Sequence, residues 1–222
     1  MTTVLVIAPH PDDETLGCGG AILRHRHAGD DIHWLIVTSI IEGEVFKHEQ
    51  VAAQEREIAE VASRYRFQSV NCLRFPTTRL DTLPQYEIVA AIKKIFQLVN
   101  PEIIYLPYRG DVHTDHKMAF DAAISCTKWF RQSSVKRVLA YETLSETEFG
   151  INPDCRGFQP NVFVNISEFL EEKLAILGLY FGEMGVFPFP RSVEAVRALA
   201  TLRGANAGCS AAEAFMLLKE IV

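Results

Sequence analysis

The chain predicts an α/β fold, a parallel sheet with helices on both faces and a small C-terminal elaboration. Three observations predict it. Short apolar runs alternate with helical patterns through the first two thirds of the 222 residues, the order that a parallel sheet with crossover helices requires. A composition of 48% hydrophobic and 23% charged residues is that of an ordinary globular chain able to bury a substantial core. Polar turns rich in His and Asp follow two of the apolar runs, at the strand ends where such sheets bind ligands. One domain is expected over residues 1–222.

The elements follow in order. Val4–Ala8 reads as a strand stopped by Pro9, and no basic segment precedes it as in a signal peptide. Gly17–Ala28 reads as a helix closed by Gly29, a natural C-terminal cap. Strands at Ile32–Thr38, Ser69–Phe75, Ile103–Leu106 and Arg137–Tyr141 then alternate with helices at Glu49–Arg64, Gln85–Val99 and Asp115–Phe130. In the last of these Met118, Ala122 and Cys126 recur at spacing four. From Glu142 to Pro160 the chain turns polar and rich in Gly and Pro, which predicts a long loop over the ligand-binding rim. A strand at Asn161–Asn165, a helix at Ser167–Phe181, a Pro-rich break at Phe187–Pro190 and a helix at Val193–Arg203 complete the pattern. Ala212–Ile221 reads equally well as helix or strand.

Composition excludes several function classes. A net charge of −6 without a long basic stripe gives no general attraction for nucleic acid. No apolar stretch approaches the ~20 residues needed to span a bilayer. The five cysteines, Cys18, Cys72, Cys126, Cys155 and Cys209, are odd in number and contain no CxxC pair, which predicts reduced thiols in a cytoplasmic protein.

The chemistry sits in two clusters, His10-Pro11-Asp12-Asp13-Glu14 after the first strand and His113-Thr114-Asp115-His116 after the fourth. A catalytic zinc takes three His or Asp/Glu ligands and keeps one position open, and the two clusters could supply such a set with groups left over for proton transfer. A helix-capping carboxylate would explain one of the acids in the first cluster, not three beside a histidine. Gly17-Cys18-Gly19-Gly20 is not GxGxxG, and the first cluster occupies the turn where phosphate-binding glycines would begin. These small residues let the first helix pack close to the sheet. Arg24-His25-Arg26-His27 alternates in direction along its helix and reads as a solvated face, while His33 and His48 read as structural or surface residues. A Ser-His-Asp hydrolase is set aside because there is no GxSxG elbow. Arg79, Arg109 and Arg191 are candidates for a phosphate or sugar contact, each weighed against simple surface solvation.

At these residues the chain resembles the PIG-L/LmbE-like deacetylases, zinc enzymes that remove acetyl groups from N-acetylglucosamine-type sugars. Pro9-His10-Pro11-Asp12-Asp13-Glu14 matches the family's (A/P)HPDDE and His113-Thr114-Asp115-His116 its HxDH. Tyr141-Glu142-Thr143, Phe189-Pro190-Arg191-Ser192, Arg203-Gly204 and Ala212-Glu213-Ala214-Phe215 resemble a bacterial subset associated with surface-polysaccharide or nucleotide-sugar biosynthesis. The resemblance implies a Rossmann-like order of strands, Zn2+ held by His10, Asp13 and His116, and Asp12 as general base. It implies that His113 stabilises the oxyanion with Asp115 orienting it from behind; the residue types add that a positive His113 opposite Asp12 would suit that task. The arginine that many members place near the start of the second helix falls at Gln54 or Arg56. The expected substrate is a small N-acetyl sugar or its nucleotide conjugate, and related proteins are often homo-oligomers. The alternatives are a metal-dependent hydratase or hydrolase of a small carboxylated substrate, which a few relatives imply, and a carbohydrate-binding protein that keeps the metal without turnover. The intact Asp12 argues against the last, since a binder needs no base.

Overall fold

A computed structural model describes residues 1–151 and 157–222. Its core is a seven-stranded sheet in the order β3-β2-β1-β4-β5-β7-β6. The strands are β1 (Thr3–Ala8), β2 (Asp31–Ser39), β3 (Ser69–Pro76), β4 (Ile103–Pro107), β5 (Arg137–Tyr141), β6 (Val162–Asn165) and β7 (Ala212–Glu220). The first five run parallel, whereas β7 lies antiparallel to both β5 and β6. Six helices join them: α1 (Asp13–Ala28), α2 (His48–Tyr65), α3 (Gln85–Val99), α4 (Thr114–Cys126), α5 (Leu170–Leu177) and α6 (Val193–Ala207).

Alternation along β1 assigns the helices to faces. Val4, Val6 and Ala8 pack with buried residues of α1, α2, α5 and α6, such as Ile22, Tyr65, Leu177 and Val196. Leu5 and Ile7 point the other way, into a core with Ile88, Ile92 and Phe96 of α3 and Ala119, Ala122 and Ala123 of α4. Both faces of β1 are therefore sealed, which is why it reads as a continuous apolar run. The strand order reverses between β1 and its neighbours β2 and β4. The chain leaves β1 toward one side and β4 toward the other, opening a crevice at their carboxyl ends.

Several boundaries differ from the sequence expectation. The last segment is strand β7; its Ala, Glu, Leu and Lys favour helix, but pairing with β5 and β6 overrides that preference. Helix α4 stops at Cys126 instead of Phe130, with the Thr127 hydroxyl donating to the Ile124 carbonyl at 2.9 Å at its end. Helix α5 covers only Leu170–Leu177, ending before Gly178. Helix α1 starts at Asp13, inside the motif, and is broken at Cys18, whose φ is −144°. The described ends of the Glu142–Pro160 segment do reach the rim, where the Glu146 carbonyl accepts from the Val112 N–H. Cys155 lies outside the described residues, and Cys18, Cys72, Cys126 and Cys209 are unpaired. No helix among the described residues is long and apolar enough to cross a membrane.

Candidate metal centre and catalytic cleft

The first cluster occupies the turn from β1 into α1. The Pro9 carbonyl accepts from both the backbone N–H and the hydroxyl of Thr38 on β2, at 2.9 and 2.8 Å, which pins the turn to the neighbouring strand. Asp12 sits at φ 128° and ψ −32°, a conformation that costs a non-glycine residue roughly 1–3 kcal/mol and persists only where its surroundings impose it. They do so here: the Asp12 N–H donates to Glu14 Oε2 at 3.1 Å, and Glu14 Oε1 accepts from the Tyr180 hydroxyl at 2.6 Å and the Thr15 hydroxyl at 2.5 Å. Burial pushes the Glu14 carboxyl up to about 7.

The second cluster occupies the N-terminus of α4, after β4. His113 is the N-cap, its Nδ1 accepting from the Asp115 N–H at 3.1 Å. One turn on, His116 is buried on the inner side of the helix. The crevice between β1 and β4 thus brings three imidazoles together, with ring centroids 4.4 Å apart for His10 and His113 and 5.4 Å for each with His116.

Two sets of three could hold a metal ion, His10/Asp13/His116 and His10/His113/Asp115, each with ligand atoms within 4.8 Å of one another. The hydrogen bonds separate them. In the first set, His10 Nδ1 and His116 Nε2 face the same Asp13 oxygen at 3.2 and 3.3 Å, and His116 Nε2 is buried with no hydrogen-bond partner despite that distance. A cation there satisfies an otherwise orphaned nitrogen. Each histidine gives its other nitrogen to a carboxylate: His10 Nε2 to Asp115 at 3.1 Å and His116 Nδ1 to Asp111 at 2.7 Å. Such contacts fix the ring and leave the opposite nitrogen free to ligate. In the second set the Asp115 oxygens are already taken by His10 and by the N–H groups of Thr78 and Leu80 at 2.6 and 3.0 Å.

The charges agree with this division. Burial alone would lower His10, but its hydrogen bonds to the Asp115 and Asp13 carboxylates raise it to about 9. Burial likewise opposes protonation of His116, yet Asp13 and Asp111 lift it well above the ordinary imidazole range, and the two histidines hold Asp13 well below the carboxylate range. Two imidazoles that favour their protonated forms thus converge on one carboxylate, an arrangement in which a divalent cation could take the place of the two positive charges. Two neutral imidazoles and one carboxylate are a donor set suited to zinc.

Two expectations need correction. Asp115 does not stand behind His113; its carboxylate orients His10, and only its backbone N–H meets His113. Burial, with the charges of His10 and His116 when those rings are protonated, lowers His113 to about 4, which disfavours the positive charge expected for it. It is a neutral imidazole whose Nδ1 accepts, so Nε2 carries the proton. Asp12 is buried, and its Oδ2 accepts from Arg191 Nη1 at 2.7 Å. Burial and the adjacent Asp13 push it well above the carboxylate range while Arg191 opposes them.

A cleft of about 240 Å³ opens onto these groups, bounded by His10, Asp12, His113, Gln54 and Arg191. Gln54 therefore lines the cleft and Arg56 does not. Of the three arginines singled out in the sequence, Arg191 alone reaches it; Arg109 makes a two-point contact with Asp121 at 2.6 and 3.1 Å, and Arg79 lies exposed at the start of a single 3-10 turn. Sequence reasoning missed Asp111, although an acid five residues before His116 in the same turn was a usable signal. It also missed Glu146 and Glu183, which share Arg191 with Asp12. Nothing local marks those two.

Residues 5–127 match the model of the PIG-L family, described as GlcNAc-PI de-N-acetylase. The chain belongs to this family. Among curated relatives, it is 31% identical over 188 residues to the diacetylchitobiose deacetylase of Thermococcus kodakarensis, an alignment covering 77% of this chain and 66% of that protein. Among solved structures, the conserved protein TT1542 from Thermus thermophilus is 27% identical with a TM-score of 0.76, covering 100% of this chain and 97% of that one. The 4-carboxy-2-hydroxymuconate hydratase of Pseudomonas putida KT2440 gives a TM-score of 0.80 at 19% identity, over 100% and 98% of the two chains. That last likeness shows a shared fold, so in this PIG-L chain the activity has to be argued from its own side chains.

Proposed function

We propose that the chain is a zinc-dependent N-deacetylase of an N-acetylated amino sugar. The observation that carries the reading is the pairing of the His10/Asp13/His116 set with a second, unligated carboxylate, Asp12, adjacent in sequence but turned away by its positive φ. Zinc in this site would supply a Lewis acid that polarises the acetamide carbonyl and brings the pKa of water toward ~7.

The chain's own residues do the rest. Asp12, held by Arg191, accepts a proton from the attacking water and returns it to the sugar nitrogen as the C–N bond breaks. Its raised proton affinity suits that exchange better than an ordinary carboxylate would. His113 donates from Nε2 to the carbonyl oxygen as negative charge builds there, an effect worth roughly 3 kcal/mol per donor in other enzymes. Asp115 and Asp111 keep His10 and His116 in the tautomers that ligate. The deacetylase names among the relatives support this chemistry, and the unpaired described cysteines support a cytoplasmic setting. The C-terminal motifs support a sugar from surface-polysaccharide assembly.

The test is to incubate the zinc-loaded protein with a panel of N-acetyl sugars and measure free amine and acetate together. Equimolar release of both is expected. Zinc-loaded protein that releases neither, but hydrates an unsaturated carboxylate, overturns the reading.

A further inference from the structure

The cleft's charge pattern narrows the substrate, on the basis of the deacetylase reading. Among the described residues that line it, Arg191 is the only side chain with a permanent positive charge. All three nitrogens of that guanidinium donate to neighbours, through four of its five N–H groups. Its Nη1 donates to Asp12 and to Glu183, each at 2.7 Å, its Nη2 to Glu146 at 3.2 Å and its Nε to the Ser145 hydroxyl at 2.7 Å. Three carboxylates thus surround one cation, and half-exposed Glu183 stands at the mouth. The other polar lining is uncharged: Ser39, Gln54, Thr77 and Thr78. The Gln54 carbonyl oxygen accepts from the Ile40 N–H at 3.3 Å, so its amide nitrogen remains to donate. The segment carrying Glu183 and Arg191 continues outward with exposed Phe181, Val186 and Phe187, not with basic residues. At about 240 Å³ the cleft is smaller than the ~300–1,000 Å³ pockets that enclose drug-sized ligands.

We infer that the cleft selects an uncharged N-acetyl sugar and rejects one carrying phosphate beside the acetamido ring, because Arg191, the one permanently cationic side chain among the described lining residues, is held by three carboxylates, and Glu183 repels an incoming anion. Hydroxyls and the Gln54 amide suit sugar hydroxyls. Among the described lining residues, a diphosphate beside the sugar finds no permanently cationic side chain other than the Arg191 already held by acids, so only the zinc that the acetamide needs would offset the repulsion from Glu183. Rejection by like charge is a common route to specificity.

The experiment compares the zinc-loaded wild type and Glu183→Gln on matched substrates. The neutral pair is N-acetylglucosamine and its disaccharide; the anionic pair is N-acetylglucosamine 1-phosphate and its uridine diphosphate conjugate. In the wild type at low salt, kcat/KM for the anionic pair is expected to be at least about tenfold lower, and the gap should shrink in Glu183→Gln and as salt screens the repulsion. Turnover of the anionic pair equal to or faster than the neutral pair overturns the inference while leaving the deacetylase reading intact. Release of acetate from neither pair removes that reading, and this inference with it.

Discussion

The ring nitrogens of His113 and His116 are distinguished by what each already bonds. His116 Nδ1 is committed to Asp111 and its Nε2 faces Asp13 without a partner, whereas His113 Nδ1 accepts from backbone and its ring borders the cleft. His116→Ala should therefore lose zinc and activity together. His113→Ala should keep near-stoichiometric zinc and lose roughly 100-fold or more in kcat, since its contact forms as the oxyanion develops. Metal analysis beside steady-state kinetics checks both, and loss of zinc from both variants alike would show that the two roles are exchanged. The sequence displayed the ligand-type residues, and the family resemblance implied which histidine ligates, but the nitrogen used was not legible, because it is set by partners such as Asp111 and Asp115 that only the fold brings up.

At the scale of elements, the broken first helix explains how the motif turn is held. The Gly20 N–H, which a continuous helix would give to the Leu16 carbonyl, instead donates to Glu213 Oε1 at 2.8 Å, and Ala21 donates to Oε2 at 2.7 Å. Lys173 Nζ takes the freed Leu16 carbonyl at 2.9 Å and pairs with Glu213 at 2.7 Å. A buried ion pair from α5 and β7 thus replaces the missing helical bond, and Gly17 lies so close to the Tyr141 ring that an added Cβ would stand 2.1 Å from it. Glu213→Gln leaves Lys173 charged and buried, which should cost about 3–5 kcal/mol. Thermal unfolding reads this as a fall of roughly 6–20 °C for a chain of this size; a shift below about 2 °C would show that the pair does not hold the break. Strands β1 to β5 were legible because each is a short apolar run bounded by polar turns. The break in α1 and the strand character of β7 were not, since the first depends on Glu213 reaching Gly20 from 193 residues away and the second on pairing with the distant strands β5 and β6.

For the whole molecule, the site ties the end of β1 to the start of the helix after β4, across the point where the strand order reverses. A zinc ion there binds only the folded chain, so free zinc about a thousandfold above Kd should stabilise by about 4 kcal/mol, and chelation should lower Tm by roughly 8–16 °C. The pH dependence has two opposite parts. With chelator, His10 is raised from 6.5 to about 9, so its contribution to stability is complete below 6.5 and is lost as pH rises through about 9. Zinc must displace that proton, so zinc affinity rises across the same window. The gap in Tm between zinc-loaded and chelated protein should therefore widen from pH 6.5 to about 9; a gap that stays constant would argue against His10 as a ligand. The convergence of the two clusters was legible, because strand-end placement in a parallel sheet puts both on one rim. The Arg191 contact with Asp12, spanning 179 residues, was not.

In the proposed reaction Asp12 is the proton acceptor beside a metal held by its neighbour Asp13. Asp12→Asn keeps size and much of the hydrogen bonding to Arg191 but removes the basic oxygen. Acetate release and zinc content measured on the same preparation give the most direct test. Zinc should remain near one per chain while kcat falls about 100- to 10,000-fold. Near-normal acetate release by zinc-loaded Asp12→Asn would contradict the account.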